Sequence, residues 1–256
     1  MASVTICVLL YGDHLALARQ CLESIRQHCP REQYRLAVGT NAIGSQTRDY
    51  LEEWRRAGEL DRWVDSPANL NKCPMMRRMF AEVDTELIWW FDDDSFIDGD
   101  GVFERWIGSA LRSARDVAQW GQLAVCDDVE TFAPDLPDPV KFVRDATWYR
   151  GLPPPSWRPG GKGELDWKGR GTGDGQWFFA IGGSWLIRTE AVRALDWPDR
   201  RLIKMGDDVL LGEAIRQHGW RIVNLGGQGV AINTMKRRGD PGLQPGAAQR
   251  PVASIV

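Results

Sequence analysis

Leu87-Ile88-Trp89-Trp90-Phe91-Asp92-Asp93-Asp94-Ser95 is the stretch on which the reading of this chain turns. Five consecutive apolar residues suit a strand covered on both faces, as in the middle of a parallel sheet. The run ends abruptly in three aspartates, and open α/β sheets bind their ligands beyond the carboxyl ends of the strands. Crowded carboxylates repel one another. The common resolution is a hard divalent cation, Mg²⁺ or Mn²⁺, held by one or two carboxylates together with phosphate oxygens and water. That chemistry suits a nucleoside diphosphate. An acidic triplet by itself is more often a solvated turn, and the buried strand ahead of it is what favours a ligand site here.

Upstream, short apolar runs alternate with helical periodicity, the signature of βαβ units and a mostly parallel sheet. Val4 to Leu10 reads as a strand, and Asp13 as the cap of a helix that turns Leu15, Leu22 and Ile25 inward and ends before Pro30. Arg35 to Gly39 is a second strand. Ser45 or Thr47 starts a helix with Tyr50, Leu51 and Trp54 inward, stopped by Gly58. Arg62 to Asp65 is a short strand, and Pro74 fits the first turn of a helix burying Met76, Met79, Phe80 and Val83.

Downstream, a helix buries Val102, Phe103, Trp106, Ile107, Ala110 and Leu111, and a strand lies at Leu123 to Val125. Residues 153–175 hold three consecutive prolines and seven glycines, a composition that builds no core and reads as a mobile loop closing over ligands. Trp177 to Arg188 is a strand broken at Gly182-Gly183, and Thr189 caps a helix. Asp207 and Asp208 open a last helix closed by Gly219, and strands at Arg221 to Leu225 and Gly229 to Ile232 precede a Pro/Gly-rich tail, 236–256.

A chain of 256 residues has room for one large domain or two small ones, and 43% hydrophobic with 26% charged residues is ordinary globular composition. The formal charge of −3 excludes a dedicated nucleic-acid binder, which is strongly basic. Arg200-Arg201 and Lys236-Arg237-Arg238 read as solvated surface, so nucleic acid enters only as an acceptor. The apolar run Val4 to Leu10 falls well short of the ~20 residues that span a bilayer, so no stable membrane insertion is expected. Five cysteines without a CxxC spacing suggest neither a disulfide framework nor a zinc site and fit a reducing cytoplasm. Most of the thirteen tryptophans read as core packing.

Asp207-Asp208 forms a second acidic cluster. Acidic residues at a helix start complement its dipole, which accounts for one of the two. The other, pointing into a cleft and partly buried, is a candidate general base for a hydroxyl nucleophile.

The order of these features, with Tyr11 after the first strand, Asn41 after the second, Asn69 and Asn71 before a helix, then WFDDDS, FAIGGSWLIR and GDDVLLGEAIRQHGW, resembles the GT-A fold glycosyltransferases, family 2 in particular, over about residues 3–226. The resemblance implies a Rossmann-like three-layer α/β sandwich with a mostly parallel central sheet. It implies one catalytic domain over 1–235, with a nucleotide-binding half about 1–98 and an acceptor half about 99–235. Residue by residue, it implies nucleotide binding by Tyr11, Asp13, Asn41, Asn69, Lys72, Asp92 and Asp93, and a metal, Mn²⁺ or Mg²⁺, on Asp92 and Asp94. It implies an acceptor side at Gly182, Gly183 and Trp185, and Asp207-Asp208 as the catalytic pair with Asp208 as base. The implied reaction moves a sugar from a nucleoside-diphosphate donor, most commonly a UDP-sugar, to an acceptor hydroxyl with inversion.

Departures accompany the likeness. Thr40-Asn41 stands where the family usually has an acidic residue, and His14, His28 and His218 are the only histidines, so none follows Ile232 as a further metal ligand. His218, beside Gly219, reads as a helix-dipole partner. Lys72, Arg77 and Arg78 are candidates for the diphosphate, although basic residues on a helix face need no special role. Two rivals stand beside this reading: a two-metal nucleotidyltransferase, prompted by Gly206-Asp207-Asp208, and a non-catalytic carbohydrate-binding module using the tryptophans as stacking faces.

Overall fold

The computed structural model describes residues 2–126, 129, 133–134, 136–152, 177–226 and 229–232. The expected loop 153–175, the tail 236–256 and the basic run Lys236-Arg237-Arg238 lie outside these residues. In chain order the elements are β1 Val4–Tyr11, α1 Leu15–His28, β2 Tyr34–Asn41, α2 Ser45–Arg56, β3 Arg62–Ser66, α3 Lys72–Phe80, β4 Leu87–Asp92, β5 Ser95–Ile97 and α4 Val102–Arg112. They continue with β6 Val117–Cys126, α5 Pro139–Arg144, β7 Trp177–Arg188, α6 Thr189–Leu195, α7 Asp207–Gln217, β8 Arg221–Asn224 and β9 Val230–Ile232.

Seven strands form one sheet in the order β3-β2-β1-β4-β7-β6-β8. The first four run parallel, β7 is antiparallel to both β4 and β6, and β8 is parallel to β6. Successive side chains of a strand point to opposite faces, so each buried strand feeds two cores. In β4, Trp89 and Phe91 join the cluster lined by α1, α2 and α4, whereas Ile88 and Trp90 join the one lined by α3, α6 and α7. The result is a helix–sheet–helix sandwich with a mostly parallel centre, as the sequence implied. Trp89, Trp90, Trp120, Trp148, Trp177 and Trp185 are among the largest fully buried side chains, so packing is their use.

The register aligns the carboxyl ends of the parallel strands. Tyr11 lies opposite Asn41, Asn41 opposite Ser66, and Leu9 opposite Asp92. Beyond this edge, the aspartate turn leads straight into β5, which pairs antiparallel with β9 through Ser95 and Ile232. That small sheet leans on β7: a Cβ at Gly183 would come within 2.6 Å of Ile232 and 2.8 Å of the Ser95 hydroxyl.

Several local expectations change. Asp13 does not cap α1; His14 is the N-cap residue and no side chain bonds the first turn. Thr189 is the first residue of α6 rather than its cap. Leu111 is 44% exposed, because at 100° per residue it falls at the flank of the stripe made by Val102, Phe103, Trp106, Ile107 and Ala110. β6 begins at Val117, well before Leu123, its polar Gln119 being buried against β7 and β8. Gly182-Gly183 is a bulge inside one continuous strand: β6 advances from Gly121 to Leu123 while β7 moves from Trp185 to Ala180.

Helix α7 lies so close to β7 that a Cβ on Gly212 would stand 2.0 Å from the Phe178 carbonyl oxygen. Backbone cannot yield as a flexible side chain does, so Gly212→Ala must push the helix off the sheet. Overpacking of this kind costs about 1–3 kcal/mol, at roughly 2–4 °C of Tm per kcal/mol for a chain of this size. Calorimetry of Gly212→Ala is expected to show a Tm drop in that range, and an unchanged Tm would mean that α7 slides freely.

Candidate active site

Asp92 closes β4, and its two carboxylate oxygens are both engaged. The Trp90 indole N–H donates to Oδ1 at 2.9 Å, and the Lys72 ammonium donates to Oδ2 at 3.3 Å. The same Nζ lies 3.0 Å from Asp207 Oδ2. Lys72 opens α3 and Asp207 opens α7, two helices on one face of the sheet. The two acidic clusters, far apart in sequence, therefore meet around one ammonium at the carboxyl edge. Asp208 follows, with Oδ1 buried and no hydrogen-bond partner among the described residues.

The loop ahead of α3 fixes where Lys72 stands. Asn41 donates from Nδ2 to the Asn71 carbonyl at 3.0 Å and accepts the Leu70 N–H at 3.3 Å. The Asn69 side chain accepts the Asn71 N–H at 2.8 Å, and Asn71 itself has φ 69°. A non-glycine residue held in that region costs of order 1–3 kcal/mol and persists only where its surroundings enforce it. The Cys73 N–H donates to the Ile203 carbonyl at 3.1 Å, tying the start of α3 to the segment that leads into α7. At the other helix, Gly206 takes φ +84° as N-cap, with Ala133 filling the space a side chain would need.

Electrostatics follow from this crowding. Burial opposes the charge of Lys72, but Asp207, Asp92 and Asp208 overcome it and hold the ammonium well above the ordinary lysine range. Burial, then the Asp207 carboxylate, pushes Asp208 well above the ordinary carboxylate range against the pull of Lys72.

The remaining sequence-derived candidates fall into place differently. Tyr11 ends β1, edge-on to His14 at 5.6 Å, and Asp13 is exposed over Gly44. Asn41 and Asn69 spend polar groups on the loop that carries Lys72, which makes them positioning residues. Asp93 and Asp94 are buried in the turn after β4, and the charges of Asp93 and then Asp92 are felt at the Cys21 thiol of α1. Among the described residues no group of three or more His, Cys, Asp or Glu side chains is arranged to hold a metal.

Trp185 is not available as a sugar platform. It is 1% exposed, stacked on Trp90 at 6.0 Å with Phe80 edge-on at 6.3 Å, because its place in β7 points it into the core. Gly183 is explained by its packing on β5 and β9, and Gly182 contributes backbone to β7. Arg77 is turned away from the acidic cluster and is bound to Asp196 and to the carbonyls of Asp196 and Pro198; Arg78 is exposed. His218 is the C-cap of α7, and burial, then Arg150, lower its pKa.

One carboxylate went unread in the sequence. Asp65, at the end of β3, accepts the Thr40 hydroxyl at 2.6 Å and is clasped by both terminal nitrogens of Arg48 at 3.1 Å. It stands beside the end of β2, where Thr40-Asn41 had left the acidic position vacant. The signal was present in the pairing of Thr40 with Asp65 across two strands, which only the register reveals.

No protein-family model and no curated protein matches the chain. Among solved structures, it is similar to the mannosyltransferase PcManGT of Pyrobaculum calidifontis in complex with GDP-Man and Mn²⁺, with TM-score 0.56 and 12% identity over 88% of this chain and 55% of that one. It is also similar to S. aureus TarS 1-349, with TM-score 0.55 and 13% identity over 90% and 59%. The same TarS segment in complex with UDP-GlcNAc gives 0.53 and 13% over 90% and 57%. The chain thus spans a little over half the length of these structures, and the likeness establishes the GT-A fold.

The elevated Asp208 carboxyl has a consequence for stability. Its folded-state pKa lies above the unfolded one, so the folded chain holds this proton to higher pH. Stability therefore falls as pH rises from the ordinary Asp range to the folded value and stays lowered beyond it. In chelator, Asp208→Asn is expected to melt higher than the parent at pH 7–8, by about 2–4 °C for each kcal/mol relieved, with the gain vanishing towards pH 4. A variant that melts lower at neutral pH would refute the crowding.

Proposed function

We propose that this chain is a nucleotide-sugar-dependent glycosyltransferase, moving a sugar from a nucleoside-diphosphate donor, a UDP-sugar in the first instance, to an acceptor hydroxyl with inversion. The observation that carries the reading is Lys72 bridging Asp92 and Asp207 at the carboxyl edge of the parallel strands, with Asp208 beside them. One end of this cluster suits the departing diphosphate and the other a nucleophile. The solved structures of the same fold with GDP-Man or UDP-GlcNAc support the donor class.

In this mechanism Asp208 takes the proton of the acceptor hydroxyl. Its raised proton affinity brings it nearer the working pH, where a general base is most effective. The hydroxyl attacks the anomeric carbon from the face opposite the diphosphate. Lys72 lies where negative charge develops as the glycosidic bond breaks, and a fixed cation in a partly dry site counts for more there than in water. Carboxylate oxygens are hard donors of the kind a divalent cation takes one or two at a time alongside phosphate and water, and among the described residues the buried Asp208 Oδ1 has no hydrogen-bond partner. Asp92 and Asp94 would hold Mn²⁺ or Mg²⁺, which when bound supplies positive charge to the leaving diphosphate. In this reading Tyr11, Asp13 and Asp65, near the ends of the first three strands, would meet the nucleoside.

Two rivals lose ground. Gly206-Asp207-Asp208 opens a helix rather than a hairpin turn, unlike a polymerase GDD. Most tryptophans among the described residues are buried, which leaves few stacking faces for a carbohydrate-binding module. No helix among the described residues is long and apolar enough to cross a membrane. The five cysteines, all buried, support a reducing cytoplasm as the compartment.

The test is a thermal-shift panel of UDP and GDP with and without Mn²⁺. A ligand at 100 times its Kd adds about 2.7 kcal/mol, a rise of roughly 5–10 °C here. One nucleotide with Mn²⁺ is expected to reach it, Asp94→Ala to lose the Mn²⁺-dependent part, and a flat panel to overturn the donor reading. For chemistry, Asp208→Asn is expected to keep the shift while transfer falls by about 10²- to 10⁴-fold. The parent rate is expected to rise with pH along an acid limb above the ordinary Asp range, as the base deprotonates. Normal turnover by Asp208→Asn would remove Asp208 from the mechanism.

A further inference from the structure

Asp92 Oδ1 is taken by the indole of Trp90, so Oδ2 is the face Asp92 turns to the site, and Lys72 occupies it. The Asp207 oxygen nearest this point is taken by the same ammonium. Lys72 Nζ thus stands between two carboxylates from opposite ends of the site and occupies the oxygen through which Asp92 would hold a cation. The Lys72 Nζ lies over the Trp90 ring, 5.9 Å from the centroid, and its helix start is pinned by Asn41, Asn69 and Ile203. The lysine side chain is 20% exposed.

We propose that Lys72 is a resident counter-ion that competes with divalent metal for Asp92 and is released only when a nucleoside diphosphate gives its ammonium another anionic partner. The proposal rests on the metal-dependent reading above and adds an order of events to it. In the nucleotide-free protein the lysine neutralises the carboxylates, holding the site together and disfavouring a bare cation. The diphosphate offers oxygens that an ammonium binds as readily as carboxylate, so Lys72 turns to it and Asp92 Oδ2 is freed. Metal and nucleotide then bind as a couple, each raising the affinity of the other by the same factor, as linkage demands. A lysine that merely staples two helices would bring no such coupling.

The experiment titrates Mn²⁺ into the wild-type protein, Lys72→Met and Lys72→Arg, with free Mn²⁺ read by electron paramagnetic resonance, first without nucleotide and then with saturating UDP. Wild-type protein and Lys72→Arg are expected to bind Mn²⁺ weakly alone and much more tightly with UDP. Lys72→Met is expected to bind Mn²⁺ alone at least tenfold more tightly than the wild-type protein, and the enhancement by UDP to shrink by a comparable factor. Equal Mn²⁺ affinity of Lys72→Met and wild-type protein without nucleotide overturns the proposal alone. Wild-type protein that binds no Mn²⁺ even with UDP overturns the metal reading and this proposal with it. If the unopposed carboxylates unfold Lys72→Met in chelator, Mn²⁺ is expected to refold it, measured by circular dichroism, and a variant that no Mn²⁺ concentration restores also overturns the proposal.

Discussion

Three carboxylates gathered at one sheet edge cannot remain there without positive charge, and most of the local architecture is arranged around that constraint. Asp92 is delivered by the central strand, Asp207 and Asp208 by a helix start, and Lys72 by another helix start beside it. Leaving a buried charge unpaired costs several kcal/mol, so the lysine is as much a condition of the fold as a tool of the site. The same constraint explains the strained Asn71 and the side-chain hydrogen bonds of Asn41 and Asn69: the loop they shape sets the ammonium within reach of both carboxylates.

The rigidity that keeps these groups in place comes from aromatic packing beneath them. Trp90 lies beneath the Lys72 ammonium and stacks on Trp185, with Phe80 set edge-on to both rings. On the other face Trp89 stacks on Trp106 at 5.3 Å. Aromatic pairs of this geometry contribute about 0.5–1.5 kcal/mol beyond their buried area. The strand that ends in the acidic turn is thereby held from both faces, and its last side chain has little freedom to wander.

The sequence is most legible where one physical cause acts alone. β1, β4 and β7 are apolar runs long enough to have only one reading, and the amphipathic stripes of α2 and α4 follow simple angular periodicity. β6 was harder, because Gln119 interrupts its apolar pattern and is buried only by neighbours on both sides. Caps were misassigned at Asp13 and Thr189, where a good capping residue happens to lie one position away from the helix boundary. Both acidic clusters were visible in the sequence, but their meeting was not: it depends on Lys72, whose charge on a helix looked like ordinary surface until α3 and α7 were laid side by side. Trp185 was misjudged for a related reason, since strand alternation, invisible to a motif, turns it inward. Asp65 was overlooked because its partner Thr40 lies on a neighbouring strand.

The pairing of Ser95 with Ile232 reaches across more than half the chain to brace the turn that carries Asp93 and Asp94. During synthesis the first four parallel strands can emerge and begin to collapse while that brace is still inside the ribosome. Contacts so distant in sequence form late, since their loop entropy must be met before they reward it. The protein therefore passes through a stage in which the sheet edge carries its anions without their final support, and the ligand site is among the last parts of the molecule to mature.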